Sequence, residues 1–254
     1  MLNNSVCAIA VLTFATTVPA IAQDTPAPLY IVSILGNDTQ DAATLAADYK
    51  DDVFVDLIEH RGRFVTAPIA VTKELDNDWL PDSASAFPGD VVMIAELPDQ
   101  AAVQGYLADV ADAYDAWSAR LSTEIRFLAA VAPNPGPQQF PMIGSVDSRG
   151  GDAFILLNAV SFDAPERSQP LIGQYFEVAG PIVGGAGTQF LATLGQVQPI
   201  TGVFPHQVLF LSEWASEAAF EAVHDTVEWQ AVAPFRNDAV TSFTEARGDL
   251  LTSQ

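Results

Sequence analysis

The chain has 254 residues, 49% of them hydrophobic, and a formal charge of −22 from 32 acidic against 10 basic side chains. So acidic a surface repels phosphate backbones and anionic membranes, which argues against nucleic-acid partners and against docking on anionic lipid. The single cysteine, Cys7, excludes a disulfide framework, so the fold must rest on its hydrophobic core, and the length suffices for one large core or two modest ones.

Residues 6–18 form an apolar run, followed by Pro19 and by Ala20-Ile21-Ala22, a small-x-small pattern ahead of Gln23. Residues 1–22 therefore read as a secretory signal peptide, too short to span a bilayer, and predict a periplasmic or secreted protein. No Lys or Arg precedes the run, so an uncleaved anchor is the alternative.

The first half opens with a strand over 29–36. A helix follows, with Asn37 or Asp38 as its cap and Asn37/Gln40 resembling a capping box; it runs to about His60 and stops at Gly62. A second strand covers 63–73, where Pro68 marks an edge or a bulge. After a polar loop at 75–90, a candidate lid, comes the apolar strand 91–97. Pro98-Asp99 opens a helix whose stripe is Val103, Tyr106, Leu107, Val110, Tyr114, Trp117 and Leu121, and a fourth strand covers 124–131. Residues 133–152, rich in proline and glycine, read as a linker.

The order then recurs. A strand at 153–162 leads to a helix capped by Asp163, interrupted near Pro170 and finished by Gly180-Pro181. Strands at 188–198 and 207–214 follow, then a helical segment or broken pair of helices at 216–236, then a strand at 241–247. Each half, 29–132 and 153–250, is thus β-α-β-β-α-β, the ferredoxin-like order, with Glu96 and Glu213 at matching places late in the third strand. The third strands, VVMIAEL and VLFLSEW, are apolar on both sides, as strands covered on both faces are. In this topology both helices lie on one face of a sheet, so the bare faces of the two halves must cover each other. The expected class is α+β: two tandem ferredoxin-like repeats packing sheet to sheet.

Segment 207–236 resembles the signature of the dimeric α+β barrel superfamily, in a branch near the antibiotic-biosynthesis monooxygenases. The third strand ends in Glu213-Trp214, Phe220 follows in the helix, and Trp229 and Pro234-Phe235-Arg236 come after a turn. The resemblance is fair over 153–247 and faint over 29–131. It implies an intramolecular barrel of that type and a small-molecule pocket between sheet and helices, lined mainly by the second half. It further implies a cofactor-independent monooxygenase or isomerase acting on an apolar or aromatic compound; a non-catalytic binding or interaction module is the alternative. A homo-oligomer is compatible with either.

The candidate catalytic residues are Glu213 or His224 for the proton and Arg236 for an anion. Trp214, Phe220, Trp229 and Glu96 are candidate ligand contacts. Each has a plainer reading: His224 as a half-buried histidine at a helix end, the glutamates as partners of an arginine or of backbone N–H groups, Arg236 as charge compensation at a helix C-terminus, and the aromatics as core. No cofactor is implied. Haem-degrading relatives of that superfamily place a histidine just after the second aromatic, where this chain has Gln230-Ala231-Val232-Ala233. His60, His206 and His224 lack a metal-binding spacing, and Gly185-x-Gly187 lacks the third glycine of a dinucleotide loop.

Overall fold

A computed structural model describes residues 27–74, 85–131 and 152–251. The expected signal peptide, the expected linker except Asp152, and residues 75–84 of the expected loop lie outside the described residues. The fold is mixed α+β with a large antiparallel sheet, of nine strands among the described residues.

In chain order, the first half comprises β1 (Leu29–Gly36), α1 (Ala42–Val53), β2 (Arg63–Phe64), β3 (Ile69–Glu74), β4 (Val91–Leu97), α2 (Gln100–Asp109), α3 (Ala111–Ser118) and β5 (Thr123–Val131). The second comprises β6 (Phe154–Phe162), α4 (Pro165–Gly185), β7 (Gln189–Thr201), β8 (Val208–Trp214), α5 (Glu217–His224), α6 (Val227–Ala239) and β9 (Val240–Leu250). Strands of the first half lie in the order β5-β1-β4-β3, and those of the second in the order β9-β6-β8-β7. Antiparallel pairing of β5 with β7 and of β9 with β3 joins them, so pairing passes around a ring and returns to its start.

Alternation along the strands sends one set of side chains inside the ring and the other beneath the helices. Val32, Ile34, Val92, Ile94 and Phe127 of the first half meet Ile155, Leu157, Leu209, Leu211 and Phe204 of the second in one inner core. The opposite faces carry separate outer cores, one under α1–α3 and one under α4–α6. Every residue of β4 is buried except Glu96, as its unbroken apolar run predicts.

Both joints between the halves need a glycine. At Gly248 on β9 a Cβ would lie 2.4 Å from Ile69 Cγ2. Gly202, at the end of β7, has φ +67°, and a Cβ there would lie 2.4 Å from the Glu124 carbonyl oxygen. Gly202→Ala combines a left-handed backbone with a clash against main chain. It is expected to lower stability by about 2 kcal/mol or more, read from the urea midpoint.

Several boundaries differ from expectation. Asp41 caps α1, accepting from the Thr44 N–H at 2.9 Å, while Asn37 Oδ1 accepts from the Thr39 N–H in a preceding turn. The helix ends at Val53 rather than near His60. Phe54 and Leu57 are both buried, and the chain wraps so tightly around Leu57 that a Cβ on Gly62 would lie 2.5 Å from it. The expected strand 63–73 is two pieces split before Pro68, whose carbonyl instead accepts from the Leu251 N–H at 2.8 Å. The expected helix from Pro98 is broken at Val110, yet its stripe stays in phase, because Val110 N–H still bonds Tyr106 and Tyr114 N–H bonds Val110. Asp163 is not a side-chain cap for α4, although its carboxylate accepts from the Ala164 N–H. Nor does α4 stop at Gly180-Pro181; it runs through Pro170 and Pro181 to Gly185. Its buried stripe of Ser168, Ile172, Tyr175, Ala179 and Val183 packs on the sheet and on α6, and that packing outweighs two missing N–H donors.

Candidate functional site

A cavity of about 110 Å³ lies in the second half, between the outer faces of β6, β8 and β9 and the helices α4, α5 and α6. The sheet supplies its floor. Phe210, Ser212 and Trp214 alternate along β8, Leu156 and Asn158 along β6, and Phe243 and Glu245 along β9. Asn158 and Phe210 face each other across β6 and β8 and retain accessible surface while their neighbours along each strand are buried. Tyr175, Ala179 and Val183 of α4 form one wall, and Phe220, His224, Trp229 and Arg236 of α5 and α6 form the other.

The break between α5 and α6 positions the histidine. Ser216 caps α5 by accepting from the Ala219 N–H, and Thr226 caps α6 by accepting from the Trp229 N–H. The turn at Asp225-Thr226 folds Trp229 back over the end of α5, so the His224 ring sits 4.4 Å from Trp229 and 4.1 Å from Phe220, between centroids. His224 Nδ1 lies 2.6 Å from the Phe220 carbonyl oxygen. A carbonyl only accepts, so Nδ1 carries a proton and the lone pair of the neutral ring is on Nε2. Burial pushes the His224 pKa down to about 4; the Phe220 hydrogen bond opposes that shift and the positive charge of Arg236 adds to it. The ring is neutral at pH 7.

Arg236 is 7% exposed, and its guanidinium carbon lies 5.2 Å from the centre of the Phe243 ring. Its Nε and Nη2 donate to Asn237 Oδ1 at 3.0 and 2.9 Å, so the fork expected to clamp an anion holds a neighbouring amide. Burial pushes the Tyr175 phenol up to about 12, with Arg236 opposing and Glu245 reinforcing the shift.

Of the candidate residues, His224, Arg236, Trp214, Phe220 and Trp229 line this one cavity. Glu213 does not. It alternates with Leu209 and Leu211, which belong to the inner core, and so lies on the opposite face of β8. Glu96 is likewise away from the cavity, on the first half's side of the molecule. Its carboxylate accepts from the Tyr30 hydroxyl at 3.0 Å and from Arg63 Nε and Nη2 at 3.0 and 3.1 Å, which is the plainer arginine-pairing reading. Both glutamates do share a register: Glu96 faces Tyr30 and Glu213 faces Ile155, each the second residue of its partner strand. Among the lining residues not anticipated are Glu245, Tyr175 and Asn158. A signal for Glu245 existed, since it alternates with Phe243 along β9 on the face turned toward the helices.

The equivalent region of the first half carries large aromatic side chains under its helices. Tyr49, Tyr106 and Trp117 are fully buried there. Arg126 packs its guanidinium carbon 3.3 Å from the centre of the Tyr114 ring and places Nη2 2.9 Å from Glu124 Oε1. The register relates the two sites, with Ser33 opposite Arg126 in one half and Asn158 opposite Glu245 in the other.

No known family profile and no curated protein matches the chain. Solved structures do. An anthrone oxidase-like protein matches at 12% identity, over 87% of this chain and 91% of its own, with a TM-score of 0.49. A candidate monooxygenase from Fusobacterium nucleatum subsp. nucleatum matches at 8% identity, over 89% and 94%, also at 0.49. A chlorite dismutase variant from Candidatus Nitrospira defluvii matches at 11% identity, over 90% and 93%, at 0.47.

Proposed function

We propose that this chain is a small-molecule-binding protein of the dimeric α+β barrel type, made by two ferredoxin-like halves in tandem, with its ligand in the second-half cavity. One observation carries the reading: His224 and Arg236 converge with the aromatic rings of Trp214, Phe220 and Trp229 on a single concave space. The strand order fourth-first-third-second in both halves supports the tandem arrangement. Export, with residues 1–22 removed, belongs to the same proposal.

The catalytic version is proton abstraction by His224 Nε2 from an acidic C–H or O–H of an apolar substrate. Isomerases and cofactor-free oxygenases, which pass the resulting anion's electrons to dioxygen, share that first step. A base with a pKa of about 4 is weak, so this version demands an acidic substrate, and binding without turnover is the second version. Solvent-deuterium exchange separates them. In D₂O, phenylacetone, a small single-ring ketone with acidic α-hydrogens, is expected to take up deuterium in the presence of the protein, and His224→Gln is expected to lose most of that acceleration. Binding of phenylacetone by calorimetry with no accelerated exchange would establish the non-catalytic version.

A further inference from the structure

Access to the second-half cavity needs a moving part. His224, Trp214 and Trp229 are each 3% exposed, so a ligand that reaches them passes between elements that are closed in this structure. Helix α4 is the element least able to hold itself there. Its 21 residues include Pro170 and Pro181, which remove the N–H groups that would bond to the carbonyls of Glu166 and Glu177, and four glycines, Gly173, Gly180, Gly184 and Gly185. Among the described residues no side chain caps its first turn, whereas Asp41, Asp99, Ser216 and Thr226 cap α1, α2, α5 and α6. Three of the glycines have no packing reason to be glycine. A Cβ on Gly173, Gly184 or Gly185 would find nothing within 4 Å among the described residues outside its own stretch of helix.

Tertiary packing therefore holds α4 in place, and the face that packs borders the cavity. Ile172, Tyr175, Ala179 and Val183 belong to its buried stripe, and all four line the cavity. A helix anchored beside empty space opens at less cost than one seated on a filled core. The lining residues that keep accessible surface lie mainly along one edge of this helix. Phe176 and Gly180 of α4, Phe190 of β7 and Phe210 of β8, which faces Asn158, are all partly exposed, and Phe190 keeps 51% of its surface. β7 bulges just after Phe190, where its register with β8 shifts, and Phe190 stands opposite the cavity residue Ser212. A smaller set, Phe162 and Val240, lies at the far end, where β6 ends and β9 begins.

Resting on the pocket reading above, we infer that α4 is the lid of this cavity and that an apolar ligand enters between α4 and β7, past Phe190. The helix lifts from the sheet while α6 stays in place, and it recloses over the ligand.

Hydrogen exchange and stopped-flow kinetics on the full chain at pH 7 test this together. By mass spectrometry the α4 amides are expected to exchange at least about tenfold faster than those of α6, after correction for sequence. The triple variant Gly173→Ala/Gly184→Ala/Gly185→Ala stiffens the helix without a clash and is expected to slow α4 exchange at least about tenfold. Pro181→Ala, at an exposed position, is the second stiffening variant. The binding probe is phenylacetone, followed through the fluorescence of Trp214 and Trp229. Both stiffening variants are expected to slow its association and its dissociation by similar factors, at least about threefold, with the equilibrium affinity nearly unchanged; Phe190→Ala is expected to speed both. Exchange in α4 as slow as in α6 overturns the inference. So does stiffening that slows exchange but not association, or acceleration by Val240→Ala in place of Phe190→Ala. In each of these cases phenylacetone still binds, and the pocket reading stands. Phenylacetone that fails to bind the wild type overturns the pocket reading instead, and the lid with it, whatever α4 does.

Discussion

Phe127→Ala is expected to destabilise the protein by about 3–5 kcal/mol and to do so in a single transition that unfolds both halves together. Phe127 stands on β5 in the first half with no exposed surface, and its ring stacks on Phe204 of the second half at 4.4 Å between centroids. Removing it deletes a large buried ring and opens a void at the point where β5 and β7 join, so the loss falls on both halves. If each half were an independent domain, the same substitution would lower one of two transitions and leave the other in place. Urea unfolding followed separately through tryptophan fluorescence and far-ultraviolet circular dichroism decides this: coincident midpoints shifted together support the shared core, and two separable midpoints would refute it. The expectation follows from the bare-face argument. The inner faces of β1, β4 and β5 bury Val32, Ile34, Val92, Ile94 and Phe127 only because Ile155, Leu157, Leu209 and Leu211 stand opposite.

The element order was legible because it depends on local periodicity. The stripe from Val103 to Trp117 and the unbroken apolar β4 and β8 are strong signals, and they survive a helix break at Val110 because hydrogen bonds on either side keep the phase. Element ends were less legible where distant packing overrides local preference. Pro170 and Pro181 read as stops, but α4 buries Tyr175, Ala179 and Val183 against sheet and α6, contacts that no window of sequence contains. The candidate site divides in the same way. Trp214, Phe220, His224, Trp229 and Arg236 lie in the one contiguous segment that carries the family resemblance, and the α5–α6 turn folds that segment onto itself around the cavity. Glu213, a candidate for the proton as an acid near the end of an apolar strand, stands on the face of β8 opposite Trp214, because a one-residue step along a strand reverses the face. Asn158, Tyr175 and Glu245 come from β6, α4 and β9, so only the sheet order and register bring them to the cavity.

Lowering the pH from 7 is expected to weaken the fold through His224 before most carboxylates titrate. The folded-state pKa is about 4, below the ordinary value of 6.5, and burial is the main cause. Between those two values the unfolded chain binds a proton at this position that the native ring does not, so stability rises with pH there. The contribution is therefore complete above about pH 6.5 and is lost as pH falls toward 4, at up to about 1.4 kcal/mol per pH unit and about 3 kcal/mol over the whole interval. His206, also buried and also shifted downward, adds a loss in the same direction, so the wild-type curve alone does not isolate His224. The difference between wild type and His224→Phe does. Phenylalanine keeps a ring between Phe220 and Trp229 and cannot take the proton, so its urea midpoint should fall less between pH 7 and pH 5 than the wild-type midpoint, by the equivalent of about 2 kcal/mol. Parallel curves would mean that the native imidazole protonates as easily as a free one. It would then be hydrated rather than sealed among Phe220, Trp214 and Trp229, and the case for a neutral imidazole held among those rings would fail with it.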